Sequence, residues 1–143
     1  MQGDELEAGS VITSLRNLNP EIFTSKYLLD RVPLVFSSRT QYVAWKSILA
    51  EGLKVDPHNI IVVGSACLGI SLNPRNNLSS FTDDSDIDVA VISDRHFDEA
   101  WRWLRDLGPA EYLTKGSDER QLVEQHRRNL VLDGTIATDT LLD

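Results

Sequence analysis

Two apolar runs, IIVV at 60–63 and VAVI at 89–92, are too short for helices and have the β-branched composition of buried strands. What constrains the fold is the chemistry at their ends. The first run stops at Gly64 and Ser65, and the second opens behind DDSDID, a cluster of carboxylates at 83–88. A strand that passes through Gly-Ser into a short helix over ACLGIS leaves backbone N–H groups pointing outward, and Ser65 adds a hydroxyl donor. Such an end can hold a phosphate. Gly64 and Gly69 would let a ligand or neighbouring backbone approach closely. Side chains on a strand alternate faces, so Asp86 and Asp88 point one way and Ile87 and Val89 the other. Their Cα atoms would lie about 7 Å apart, close enough to share one divalent ion. Two like charges beside a core repel and lose hydration, so an ion or a water-filled cleft should accompany them.

Each half has a plainer reading on its own. Gly-Ser after a strand is usually an ordinary turn, and an isolated acidic cluster is usually a solvated loop. Two sharper readings fail on single residues. Asp84, Asp86 and Asp88 have the opening spacing of a calcium-binding loop, but Val89 stands where the turn glycine belongs and Arg95 where the bidentate glutamate belongs. GSACLGIS nearly spells a P-loop, but Ile70 takes the lysine position.

The rest of the chain places these halves in a helical surround. Residues 1–10 read as a loose tail, and the stretch between Pro20 and Pro33 as a short helix. In SSRTQYVAWKSILAEG, Ser38 can cap a helix whose face carries Tyr42, Trp45, Ile48 and Leu49, with Gly52 as its stop. LNPRNNLSSFTDDS is rich in turn formers and predicts a long loop. DIDVAVIS is the second strand. DRHFDEAWRWLRDLG follows as a helix burying Phe97, Trp101, Leu104 and Leu107, with Gly108-Pro109 as its stop. A further helix, capped by Ser117 or Asp118, runs to Arg128, and the remainder predicts a strand. The order α, β, α, β, α, α, β predicts an α/β (α+β) fold, a small mixed β-sheet flanked by helices. An N-terminal tail and helical segment occupies 1–37, and the principal domain 38–143. The chain stops at TLLD inside an apolar element, which points to truncation at the C-terminus.

Composition excludes several functions. The net charge of −8 argues against non-specific coating of nucleic acid, which depends on neutralising many phosphates. No apolar run reaches membrane-spanning length, and the acidic start lacks the basic and apolar regions of a secretory signal. One cysteine, Cys67, cannot form an internal disulfide, which fits the cytoplasm.

The run VVGSACLG followed by DSDIDVAVI resembles the signature of the nucleotidyltransferase superfamily typified by DNA polymerase β. The resemblance covers about a quarter of the chain, and the chain's size is similar to that of the minimal nucleotidyltransferases. It implies a polymerase β-like fold in which Gly64 and Ser65 bind the nucleotide triphosphate and Asp86 and Asp88 bind a pair of Mg2+ ions. It implies transfer of a nucleoside monophosphate, AMP from ATP as the favoured case, to a hydroxyl of a protein, RNA or small-molecule acceptor. Some minimal members modify a toxin partner in a toxin–antitoxin pair. It also implies a third carboxylate late in the chain. Asp133, at the end of an expected buried strand over 130–132, is preferred to Asp139. The interval between Gly-Ser and the aspartates is about twice the family's, which makes the loop over 73–84 a lid or a recognition element.

Two alternatives stand beside this one: a non-catalytic nucleotide-binding module of antitoxin type, and a catalytic fragment of a larger nucleotide second-messenger synthase. Other residues suggest less. Cys67 with His58, His96 or His126 would make a thiol nucleophile only if remote side chains met, and a buried cysteine is the plainer reading. His126, Arg127 and Arg128 with Arg120 could hold phosphate or RNA, or form a solvated helical face. Trp101 reads as core and Trp103 as a surface or partner contact.

Overall fold

The computed structural model describes residues 8–109 and 117–138. The chain divides into two compact units, Met1–Ile92 and Ser93–Asp143.

Of the expected tail over 1–10, residues 1–7 lie outside the described residues and 8–10 are helical. Helix α1 spans Ala8–Asn17 and buries Val11 completely. Helix α2, Pro20–Thr24, starts where Asn19 Oδ1 accepts the Glu21 N–H at 2.8 Å, with proline in the first turn. It continues into a wider turn, Ser25–Leu29, and the rings of Phe23 and Tyr27 stack at 4.9 Å. These helices share one core with the residues that follow 38: Val11, Phe23 and Tyr27 pack with Tyr42, Val62 and Cys67.

Helix α3 spans Arg39–Leu53, and Ser38 Oγ accepts the Gln41 N–H at 3.2 Å, the expected cap. Tyr42 is buried and Trp45 packs on the core, but Ile48 is 74% exposed. At 100° per residue Ile48 lies about 120° round the helix from Tyr42, so Ala50 takes the inner position instead. Gly52 stays inside the helix, and Lys54, at φ 54°, closes it in the left-handed conformation.

Strands β1, Ile60–Val62, and β2, Val89–Val91, pair antiparallel with Ile61 opposite Ala90. Among the described residues they form the whole sheet, so the architecture is α+β and the expected mixed sheet is not found there. A two-stranded ribbon is marginal alone. This one is held because Ile60 and Val62 are fully buried, each contributing about 1.5–3 kcal/mol. Helix α4, Gly64–Leu68, follows β1. It is shorter than expected because Gly69, at φ 79°, caps it.

The second unit contains α5, Asp94–Asp106, and α6, Ser117–Gln125, which continues as a wide turn, His126–Leu130. Ser93 caps α5 by accepting the His96 N–H. Leu104 and Val123 form a small core with Trp101, Leu107, Val131 and Ile136, while Trp103 is exposed, as expected. The expected final strand is absent among the described residues. Wide helical bonding carries through 130, 131–134 turn, and Leu132 is 82% exposed. Among the described residues no helix is long and apolar enough to cross a membrane.

Cys67 is fully buried in α4 and its Sγ–H donates to the Tyr27 carbonyl at 3.4 Å. Burial pushes its thiol up to about 11, with Arg31 opposing slightly. A buried, protonated thiol is a poor nucleophile, so the nucleophile reading fails. In the unfolded chain the thiol ionises near ~8.5. The stability it contributes is therefore complete below that pH and is lost as pH rises toward about 11. The fall in melting temperature between pH 8.5 and 11 should be shallower in Cys67→Ala than in the wild type, measured by circular dichroism.

Candidate functional site

Helix α4 is set by its apolar side. Ala66, Cys67 and Leu68 are all buried. The segment before α3 donates to its carbonyls: Val35 N–H to Ala66 O at 3.1 Å and Leu34 N–H to Cys67 O at 3.3 Å. With that end anchored, Gly64 and Ser65 are left half-buried at the open end of β1.

The two halves of the sequence signature meet there. Val63 N–H donates to Asp88 O at 2.9 Å, so the pairing runs one residue beyond the strands and draws Asp88 alongside Gly64. Gly64 has φ +63°, and a Cβ there would collide with the Asp88 carboxylate. Only glycine allows this approach.

A cavity of about 450 Å³ opens at this point. Gly64, Ser65, Asp86 and Asp88 all line it. The second strand is shorter than expected: β2 begins at Val89, so Asp86 and Asp88 lie in the segment that leads into it, and Ile87 between them is absent from the lining. Sequence reasoning missed Asp84, which lines the same cavity. Its spacing of two from Asp86 was the available signal, and it was spent on the calcium-loop reading. Asp84, Asp86 and Asp88 are exposed, so water meets their charge and the fold itself requires no ion.

The long loop supplies the opposite wall. Ile70 bridges Ser80, Ser71 N–H donates to Ser79 O at 2.8 Å, and Phe81 N–H to Gly69 O at 2.9 Å. Ile70 is buried and Phe81 packs on the core, which fixes both stems. Asn73 Oδ1 caps the short turn Pro74–Asn76 through the Arg75 N–H. Ser71, Asn73, Asn76 and Ser79 face the cavity. None of the described lining residues is lysine, arginine or histidine.

Among the described residues no three His, Cys, Asp or Glu side chains form a group able to hold an ion by themselves. The donor set nevertheless suits Mg2+, which usually takes one or two carboxylates and completes its shell with water and phosphate oxygens.

Asp133 is exposed in the turn after the second unit's last helical residues, and Asp139 lies outside the described residues. Arg127 bonds Leu104 O and Gly108 O and so caps the end of α5. Arg128 pairs with Glu124 at 2.6 Å, and the buried His126 ring sits between the Leu122 and Ala137 carbonyls. These contacts give His126 and Arg127 structural work and overturn the phosphate reading for them. His58 is exposed and bonds Asp56 at 2.9 Å.

Gly64→Ala should cost about 1–3 kcal/mol in urea unfolding, from the positive φ together with displacement of Asp88. Gly52→Ala, within α3 and facing open space, should instead stabilise by roughly 0.5–1 kcal/mol.

Comparisons with protein-family models, with curated proteins and with solved structures find no match for this chain.

Proposed function

We propose that this chain is a Mg2+-dependent nucleotidyltransferase of polymerase β type, moving a nucleoside monophosphate, AMP from ATP in the favoured case, onto an acceptor hydroxyl. The observation that carries the reading is the meeting of Gly64 and Asp88 at one cavity. Gly-Ser and Asp-x-Asp are each common; the antiparallel pairing sets the end of β1 beside the start of β2, so here the two meet at the same end of the ribbon and line one cavity.

In this reading the N–H groups of Gly64 and Ser65 and the Ser65 hydroxyl donate to phosphate oxygens, with Gly64 keeping a side chain out of the way. Asp86 and Asp88 would hold Mg2+, which supplies charge neutralisation of the triphosphate and stabilisation of the departing pyrophosphate. No described lining residue is cationic, so Mg2+ would be the positive charge that offsets the triphosphate there. Positioning and electrostatics carry most of the rate. Asp84, in the same cavity, takes the acceptor's proton, the role that the sequence assigned to Asp133.

Asp86→Asn with Asp88→Asn should abolish Mg–ATP binding by calorimetry while the melting temperature holds, since both side chains are exposed. Unchanged affinity in that double variant removes the proposal. Ser65→Ala should weaken binding only about tenfold or less, because the backbone donors remain.

The third carboxylate has its own test. Asp84→Asn should lower transfer about 100-fold or more with Mg–ATP affinity intact, while Asp133→Asn leaves both unchanged. The opposite pattern returns the role to Asp133. A wild-type chain that binds Mg–ATP but transfers to no acceptor is the nucleotide-binding module instead.

A further inference from the structure

We infer that the acceptor is an uncharged, hydroxyl-rich small molecule, bound against the wall that the long loop adds to the cavity. The inference rests on the nucleotidyltransferase reading above and adds the class of the second substrate.

Charge and hydrogen-bonding type together select the acceptor. One side of the cavity carries Asp84, Asp86 and Asp88, and the loop side carries Ser71, Asn73, Asn76 and Ser79. A nucleic-acid acceptor would bring a phosphate with every nucleotide into a space holding three carboxylates and a triphosphate, with Mg2+ as the counter-charge and no basic lining residue to add to it. Sites that accept such strands are basic, and they stack bases on aromatic rings. No described lining residue is basic or aromatic. An apolar acceptor would find Leu72 alone. Serine and asparagine side chains, by contrast, both donate and accept, as a hydroxyl does, and a neutral polyol meets no Coulomb penalty.

The wall is also built in advance. Ser71 Oγ accepts from the Asn73 N–H at 3.3 Å and from Asn76 Nδ2 at 3.2 Å, which leaves its own O–H to donate. Asn76 keeps a carbonyl oxygen and a second amide hydrogen for a ligand. The stem bonds from Ser71 to Ser79 and from Phe81 to Gly69 hold these groups in place before anything binds, so little ordering remains to oppose association. That makes the loop a fixed recognition wall rather than a lid.

In the transfer, the acceptor oxygen bonds to the α-phosphorus as the bond from that phosphorus to the α,β-bridging oxygen breaks. Pyrophosphate leaves with the bonding pair, and the hydroxyl proton passes to the Asp84 carboxylate.

The test uses the full chain and two separate readouts. Mg–ATP affinity is measured by calorimetry without acceptor, and pyrophosphate release is measured with myo-inositol, sorbitol, glucose or sucrose, or with a single-stranded oligoribonucleotide bearing a free 3′ hydroxyl. At least one polyol should stimulate release over the rate in water, and the oligoribonucleotide should not. Asn76→Ala and Ser79→Ala should each raise KM for that polyol about tenfold, with Mg–ATP affinity within about twofold of wild type. Ser79→Ala removes a hydroxyl alone, so it keeps the test valid if Asn76→Ala disturbs the loop. Stimulation by the oligoribonucleotide, or variants that change Mg–ATP affinity in place of KM, would overturn the inference while the nucleotidyltransferase reading stands; Mg–ATP binding with no stimulation by any acceptor would overturn the inference and leave the nucleotide-binding module. Absence of Mg–ATP binding in the wild type removes that reading, and the inference with it.

Discussion

The approach of the Asp88 carboxylate to the Gly64 backbone is the contact on which the cavity depends. It needs a residue without Cβ at a positive φ, and it needs the ribbon pairing to run on through Val63 N–H to Asp88 O. The pairing sets the start of β2 beside the end of β1, and the glycine lets the Asp88 carboxylate close in. Together they bring a donor-rich chain end and an acidic one to the same opening, where water can still reach the charges.

That opening is held from behind by apolar packing. Ala66, Cys67 and Leu68 are buried, and the carbonyls of Ala66 and Cys67 accept from Val35 and Leu34. The single turn of α4 has little intrinsic helical stability, since short helices do not survive without tertiary contacts. Its position is therefore set by the core that Val11, Phe23 and Tyr27 complete, and the N-terminal helices belong to the site's foundation although none of those residues touches the cavity.

The loop shows how polar residues can be used twice. Ser71 and Asn73 accept backbone N–H groups of their own turn and Asn76 Nδ2 donates to Ser71 Oγ, and the same residues line the cavity. Two successive left-handed residues, Asn77 and Leu78, carry the chain round the tip. In the second unit the basic motif has the opposite fate: Arg127 is taken up by the carbonyls at the end of α5, which need a donor as every helix end does.

By itself the sequence determined the two apolar strands, the glycine that opens α4 after β1 and the Ser38 cap, because each is written in local chemistry: β-branched runs, a residue without Cβ and a hydroxyl before a helix. Tertiary structure decided the rest. Residues 8–10, read as tail, are helical because α1 finds a core for Val11 that residues far along the chain supply. The run after Asn129 has strand-like composition, yet with no partner among the described residues it follows the helical bonding that precedes it, and the local basis for choosing Asp133 goes with it. Asp84 and the serine and asparagine wall could not be read as site residues from spacing, since their meeting with Gly64 depends on Ile70 and Phe81 anchoring a loop whose composition says only that it turns.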